Sequence, residues 1–330
     1  MLKLSIIIPT HNRLEQLEKV LQGLEKQTWP CDEFEVLVVS DGSTDDTDAF
    51  LRAAMTRLHL RALFQPNQGA AAARNLGIAQ SVGEIVLFLD DDVVPVPELI
   101  EEHLRFHSLY WDRAIVIGPM LAPPDYEPSP WVCWELEKLA EQYHAMVSGQ
   151  WEPTARQFYT GNTSLARRHL VDSGGFDPTF RRAEDVELAY RLAGHGLKFF
   201  FNPRAAGYHY AIRSFKSWLA IPYAYGRNDV IFSRQRGQIW LVPNMFVEFR
   251  TRPALIRSLT HLCLDRPGAT AVATAILTHI IQAGHRLKLK RLSQMACGAL
   301  FNLRFYQGTA DELEGRKAFF SGVESVQSSS

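Results

Sequence analysis

Three consecutive carboxylates, Asp90, Asp91 and Asp92, follow directly on the apolar run Ile85–Leu89. A run with no polar interruption reads as a strand buried on both faces, as in a parallel sheet. Three acids left dry and unpaired at its C-terminal end would repel one another strongly. A divalent cation relieves that repulsion, and ligands gather at the carboxyl ends of parallel strands. The competing reading is a solvated acidic turn.

Other residues of chemical interest stand at similar places. Asp41, in Val38–Ser43, ends a second apolar run, and Gly42 beside it permits a tight turn. An Asp there can accept hydrogen bonds from a nucleobase or ribose, or simply cap a turn. Pro9-Thr10-His11-Asn12-Arg13 closes the first run. Thr10 and its backbone can line the same crevice, Arg13 is a phosphate partner or a surface charge, and His11 is a packing or rim residue. Asn67-Gln68-Gly69 reads as a binding loop before the small residues Ala70–Ala73, and Arg74 can pair with the acids or with a pyrophosphate. A second acidic pair, Glu184 and Asp185, follows the turn Gly174-Gly175-Phe176-Asp177 at a helix start. The helix dipole alone favours acids there, but a carboxylate across a cleft from a cation is also what a general base requires. Glu187, one turn on, reads as a surface charge. His209 offers a neutral imidazole, a metal ligand or a structural histidine.

These residues need elements to position them. Leu4–Ile8, Glu35–Val39, Arg61–Phe64 and Ile85–Leu89 read as strands. Between them, Leu14, Leu17, Val20, Leu21 and Leu24 repeat at helical spacing, with Thr10 or Asn12 as cap. Ala49–Leu58 follows with Thr44 or Asp45 as its cap, and Gly69–Ser81 is the third helix. Alternation of this kind predicts a parallel sheet covered by helices. Pro95–Leu109 reads as a helix and Ala114–Pro119 as a strand. Ala122–Pro130 is a proline-rich loop, and the segment around Trp131, Trp134 and Trp151 an irregular aromatic wall or lid. Thr160–Ala166 and Lys198–Asn202 are later strands, with a helix in Phe180–Gly194.

The C-terminal third has another character. From Arg204 to Arg304 there are 15 Lys/Arg against three acids, although the whole chain is near neutral. Such a stretch suits an anionic surface or ligand. Leu255, Leu259 and Leu262, then Leu287, Leu289 and Leu292 among Arg286, Lys288, Lys290 and Arg291, suit a helix lying on an anionic bilayer. The rival is packing on the rest of the chain or on a second subunit, which would make a homodimer. The apolar window Gly268–Ile281 falls short of the roughly 18 residues a spanning helix needs. Cys31, Cys133, Cys263 and Cys297 lack zinc or redox spacing and read as buried thiols of a reducing compartment. The expected location is cytoplasmic, with peripheral contact at the inner membrane face left open.

Taken together, the motifs resemble a family 2 glycosyltransferase of GT-A fold over about Leu2–Tyr210. The parts are Pro9–Arg13, Val39–Ser43, Ala73–Ile78, Gly83–Pro95, Gly161-Asn162, Gly174–Asp177 and Glu184-Asp185, seven in the same order. The resemblance implies an α/β, Rossmann-like, mostly parallel sheet flanked by helices. A catalytic domain over 1–212 would be followed by a mainly helical region over 213–320 and a disordered tail over 321–330. It implies Asp41 on the base or ribose of a nucleotide-diphosphate sugar, Asp90 near the ribose, and Asp92 with His209 on Mg2+ or Mn2+. Asp185 would be the catalytic base. Pro9, Thr10, Asn12, Arg13, Arg74, Asp91, Glu184 and Trp131 complete the implied substrate-binding set. The Gln-x-x-Arg-Trp motif of processive synthases is missing, which favours one sugar per event onto a carbohydrate or lipid-linked acceptor, with inversion and no nucleic-acid partner. Nucleotidyl transfer and an inactive nucleotide- or carbohydrate-binding scaffold are the alternatives.

Overall fold

A computed structural model describes residues 2–110 and 113–326. They fall into two compact units, one of residues up to Glu127 with Leu136–Ala211, the other of Pro128–Glu135 with the chain from Ile212.

The first unit opens as β1 (Leu4–Thr10), α1 (Leu14–Glu25), β2 (Phe34–Asp41), α2 (Thr47–Ala53), β3 (His59–Gln65), α3 (Ala70–Gln80) and β4 (Ile85–Leu89). It continues through β5 (Val93–Pro95), α4 (Leu99–Tyr110), β6 (Ala114–Ile117), β7 (Met120–Leu121), α5 (Pro130–Val147, of which the part to Glu135 is counted with the second unit), β8 (Asn162–Ala166), α6 (Arg167–Asp172), α7 (Glu184–Gly194), β9 (Lys198–Phe201) and β10 (Gly207–His209). Seven strands form one sheet in the order β3-β2-β1-β4-β8-β6-β9. β1 runs parallel to β2 and β4, β2 to β3, and β6 to β9; only β8 is antiparallel to its neighbours. A smaller sheet has the order β5-β10-β7.

Burial explains the layering. β2 and β4 are buried along their whole length, so helices must cover both faces. α1 turns Leu17, Val20, Leu21 and Leu24 into the core that contains Ile6, Ile8, Phe34, Val36, Val38 and Leu87. α3 sits close on β1 because Gly77 has no side chain; a Cβ there would collide with Ile7. At the other end of the strands, buried Glu35 accepts from Ser5 at 2.6 Å, from the Val82 amide at 2.7 Å and from Arg61 at 2.9 Å. A buried carboxylate needs that many donors.

The second unit is helical: α8 (Phe215–Gln235), α9 (Leu241–Thr251), α10 (Ala254–Cys263), α11 (Pro267–Arg286), α12 (Lys290–Glu312) and α13 (Arg316–Ser325). α8 and α12 approach backbone to backbone, since a Cβ on Gly226 would meet the Phe305 carbonyl and one on Gly308 the Tyr223 carbonyl. Phe249, Tyr306 and Phe319 centre one core cluster, Trp218, Cys297 and Leu300 another. None of the described helices is long and apolar enough to cross a membrane.

Several expectations need correction. The aromatic segment at Trp131 and Trp134 is not irregular. Both lie on α5, where a spacing of three residues puts them on one face, against Phe215 and Trp218. Trp151 lies beyond the helix and is exposed. The segment Val93–Pro95 is a strand, so α4 starts at Leu99 rather than Pro95. α2, Thr47–Ala53, is shorter than Ala49–Leu58 and starts earlier. The helix expected within Phe180–Gly194 is there, starting at Glu184 after Ala183 at φ +58°. The tail expected to be disordered from Ser321 carries the end of α13 to Ser325; residues 327–330 lie outside those described. The cysteines are free, but Cys31 and Cys133 are only half-buried.

Candidate active site

The parallel register brings three strand ends to one edge. Thr10 lies opposite Ser40, the residue before Asp41, and β4 runs beside β1 into Asp90. The acids form the turn from β4 to β5, closed by the Val93 amide on the Asp90 carbonyl at 3.1 Å and by the Asp90 amide on the Gly161 carbonyl at 3.2 Å. Asp91 and Asp92 are buried, and one nitrogen of Arg13 serves both: Nη1 donates to Asp91 Oδ1 at 2.9 Å and to Asp92 Oδ2 at 2.8 Å. Arg13 is thus more than a plain surface charge: through Nη1 it is the counter-charge of both acids. Burial pushes the Asp91 carboxyl up to about 7, with Asp92 and Asp90 adding to the rise and Arg13 opposing it. Burial opposes the Arg13 charge, yet Asp91 and Asp92 still raise its pKa above the ordinary value.

β10 supplies the imidazole. It pairs antiparallel with β5, setting His209 opposite Val93, and the Tyr210 amide donates to the Asp92 carbonyl at 2.8 Å. His209 Nε2 therefore stands 3.4 Å from Asp92 Oδ1. A carboxylate oxygen beside an imidazole nitrogen is a donor pair that a divalent cation accepts. Among the described residues, no group of three or more His, Cys, Asp or Glu is arranged to hold a metal. The two side chains alone thus offer a partial ligand set.

Arg74 carries the link to the second acid pair. Its side chain, 5% exposed, donates through Nη2 to Asp90 Oδ1 at 2.8 Å and through Nη1 to Glu184 Oε1 at 3.0 Å. Asp185 follows in the first turn of α7, half-buried, its Oδ1 accepting from the Val186 amide at 2.8 Å. Burial, then the neighbouring Glu184 charge, pushes the Asp185 carboxyl up to about 7; Asp90 adds to the rise, while the Val186 amide and Arg74 oppose it. A carboxylate poised near neutrality, whose neighbour Glu184 is tied through Arg74 to Asp90, can accept a proton at physiological pH.

Residues 5–174, 170 of 330 positions and so just over half of the chain, match the family model described as glycosyl transferase family 2. The chain belongs to this family. A validoxylamine A glucosyltransferase of Streptomyces hygroscopicus subsp. jinggangensis is 31% identical over 223 residues, covering 59% of this chain and 52% of the relative. A hyaluronan synthase of Pasteurella multocida is 29% identical over 229 residues, covering 58% of this chain and 23% of the synthase. The chain spans about half the length of the first curated relatives it matches. The fold is that of solved glycosyltransferases. The mannosyltransferase PcManGT from Pyrobaculum calidifontis, in complex with GDP-Man and Mn2+, superposes with a TM-score of 0.59 at 18% identity, covering 92% of this chain and 86% of the other. S. aureus TarS in complex with UDP-GlcNAc gives 0.52 at 19% identity, covering 90% and 91%.

In this family 2 chain the remaining candidates divide. Asp41 accepts from Gln65 Nε2 at 2.7 Å and from the amides of Gln68 and Gly69, both at 2.8 Å. It holds the loop that leads into α3. Asn12 does not cap α1; Arg13 takes the cap position without a side-chain bond. At φ +54° Asn12 instead aims Oδ1 at the Thr44 amide (2.6 Å) and ties the β1–α1 turn to the β2–α2 turn. His11 Nδ1 lies 2.9 Å from the Asp41 carbonyl, and half-buried Pro9 and buried Thr10 end β1. Trp131 belongs to the second unit, where its indole N–H donates to the Arg213 carbonyl at 2.8 Å.

Two supporting groups escape motif reading. Asn75 donates to the Phe176 carbonyl and accepts from the Phe176 amide, both at 2.8 Å, which pins the turn before α7. Glu187, expected on the surface, is buried and pairs with Arg191 at 2.6 Å, and Arg191 Nη2 also donates to the Gly175 carbonyl at 2.7 Å. The i,i+4 spacing of Glu187 and Arg191 was the available signal.

Proposed function

We propose that this chain moves one sugar from a nucleotide-diphosphate sugar to an acceptor hydroxyl, with inversion at the anomeric carbon. The observation that carries the reading is the two-sided grip of Arg74, which joins Asp90 at the donor edge to Glu184, the neighbour of Asp185. A base must lie within reach of the reacting hydroxyl and titrate near working pH, and Asp185, at about 7, has the second property.

Asp185 takes the proton of the acceptor hydroxyl as that oxygen attacks the sugar's anomeric carbon from the face opposite the diphosphate. Asp92 and His209 would hold Mg2+ or Mn2+, which supplies Lewis-acid stabilisation of the departing diphosphate. Arg74 keeps Asp90 and Glu184 neutralised and fixed. Asp41 shapes the loop wall through Gln68 and Gly69. The solved GT-A relatives bound to UDP-GlcNAc and to GDP-Man with Mn2+ support a nucleotide-sugar donor and a cation. The relative named for validoxylamine A supports a small or carbohydrate acceptor. Retained acids at both places favour catalysis over an inactive scaffold.

The test is a panel of nucleotide sugars with Mn2+, read by thermal shift and by release of nucleoside diphosphate. A true donor raises the melting temperature by mass action and yields the diphosphate when an acceptor is present. Release of pyrophosphate would assign nucleotidyl transfer instead, and binding without release under any acceptor would leave a scaffold.

A further inference from the structure

The turn between α11 and α12 presents leucines to solvent among a run of bases. Leu287, Lys288 and Leu289 join the helices, with Lys288 at φ +56° and the Leu289 amide on the Gly284 carbonyl at 2.7 Å. Gly284 lets the two helices close tightly, since a Cβ there would lie 3.1 Å from the Ser293 amide nitrogen. The tip is therefore a defined, hydrogen-bonded hairpin end. Leu287, Leu289 and Leu292 are nevertheless 69%, 50% and 45% exposed. Val272 and Ile276 on α11 and Met295 on α12 are also exposed. Val272, Ile276, Ala283 and Leu287 recur at helical spacing, so they share one face of α11 and its end. Exposed apolar groups gathered in one place mark an interaction surface, whereas scattered ones do not.

Charge says what covers it. Arg286, Lys288, Lys290 and Arg291 surround the leucines, and no acid occurs in the 45 residues from Arg266 to Ala310. A second copy docked symmetrically through this tip would set base against base. A polyanion such as nucleic acid would pair with the bases but leave the leucines in water. An anionic bilayer satisfies both, the leucines entering the acyl boundary and the long basic side chains reaching the headgroups. We propose that the α11–α12 tip docks this chain on an anionic membrane surface. Contact is peripheral, in keeping with the lack of any spanning helix among the described residues. The inference stands independently of the sugar-transfer reading.

The test is flotation of the full chain with vesicles of equal parts phosphatidylcholine and phosphatidylglycerol, against pure phosphatidylcholine. The chain floats with the mixed vesicles only, and less so at high salt. The triple variant Leu287→Ser, Leu289→Ser, Leu292→Ser loses about tenfold or more of that partition, while it still melts cooperatively as a folded chain because about half or more of each side chain faces solvent. Leu289→Trp gives a second readout that retains apolar bulk: its emission shifts to the blue with mixed vesicles. Three results overturn the proposal: no flotation of the parent chain; equal flotation of the serine variant, which means charge pairing alone; or self-association in sedimentation that the serine variant abolishes, with no flotation, which means a second copy.

Discussion

Arg74 and Glu184 are 110 positions apart in the chain, and Nη1 of the first stands 3.0 Å from Oε1 of the second. The same guanidinium holds Asp90 at 2.8 Å, so one buried cation serves an acid from β4's end and an acid from α7's start. Two separate stretches of sequence are fused electrostatically at this residue.

Arg74→Met should therefore be among the most damaging single changes at the site. It leaves Asp90 and Glu184 without their shared counter-charge, and breaking a buried pair costs about 3–5 kcal/mol. Asp90 is part-exposed, which pulls the expectation to the lower end of that range. Arg74→Lys keeps the charge but cannot reach both acids with a fork and should fall between. Denaturant melts of the three proteins check the order, and a Met variant as stable as the parent would refute the account.

Asp185→Asn should retain donor binding and lose transfer by about a hundred- to ten-thousand-fold, the usual contribution of a positioned base. Calorimetric titration with the donor and single-turnover product formation separate the two quantities. Full transfer by the Asn variant would remove Asp185 from the reaction.

The pH dependence has two opposite signs. If Asp185 is the base we propose, it must be ionised to act, and kcat/KM should rise with pH through an acidic limb near the group's value of about 7. Stability runs the other way. The folded carboxyl holds its proton well above the ordinary value of 3.8, so the folded state binds more protons than the unfolded state between about pH 4 and 7. That contribution is full below the unfolded value and is lost as pH rises through the folded one. Asp185→Asn should accordingly raise the melting temperature at pH 8 by about 2 °C or more, with the gap closing toward pH 4. A gap that is constant with pH would contradict the raised value.

What could be read from the chain, and what could not, divides by range of interaction. Ile85–Leu89 is a strand with the bounds that its unbroken apolar run implies. α1 buries Leu17, Val20, Leu21 and Leu24 of the five residues whose spacing announced it, and leaves Leu14 half-buried. β5 and β7, of three and two residues, carry no periodicity at all; β10 lies between and pairs with both. Trp131 and Trp134 looked irregular because proline and aromatic residues surround them, and packing against Phe215 and Trp218 overrides weak local propensity. At the site, residue type told that Asp90–Asp92 needed a counter-charge. It did not tell that Arg13, 78 positions away from Asp91, provides one.

Asn75 offers the last test, because it separates holding a turn from taking part in chemistry. Its side-chain amide makes both hydrogen bonds to the Phe176 backbone, 101 positions on, and no other residue supplies them in the described structure. Gly175, at φ +70°, passes so close that a Cβ there would lie 2.5 Å from Asn75 Oδ1. Asn75→Ala would leave the Phe176 N–H and C=O without partners, at a cost of about 1–3 kcal/mol for a buried polar group. Asn75→Asp keeps an acceptor for the Phe176 amide but sets a carboxylate against its carbonyl, and should be no better than Ala. Because this turn leads toward α7, whose first turn carries Glu184 and Asp185, the Ala variant should lower kcat more than it raises the donor's KM. Equal stability of Asn75→Ala and parent in urea melts would show that the turn is held by something else. A loss of stability with kcat untouched would show that the turn does not position Asp185.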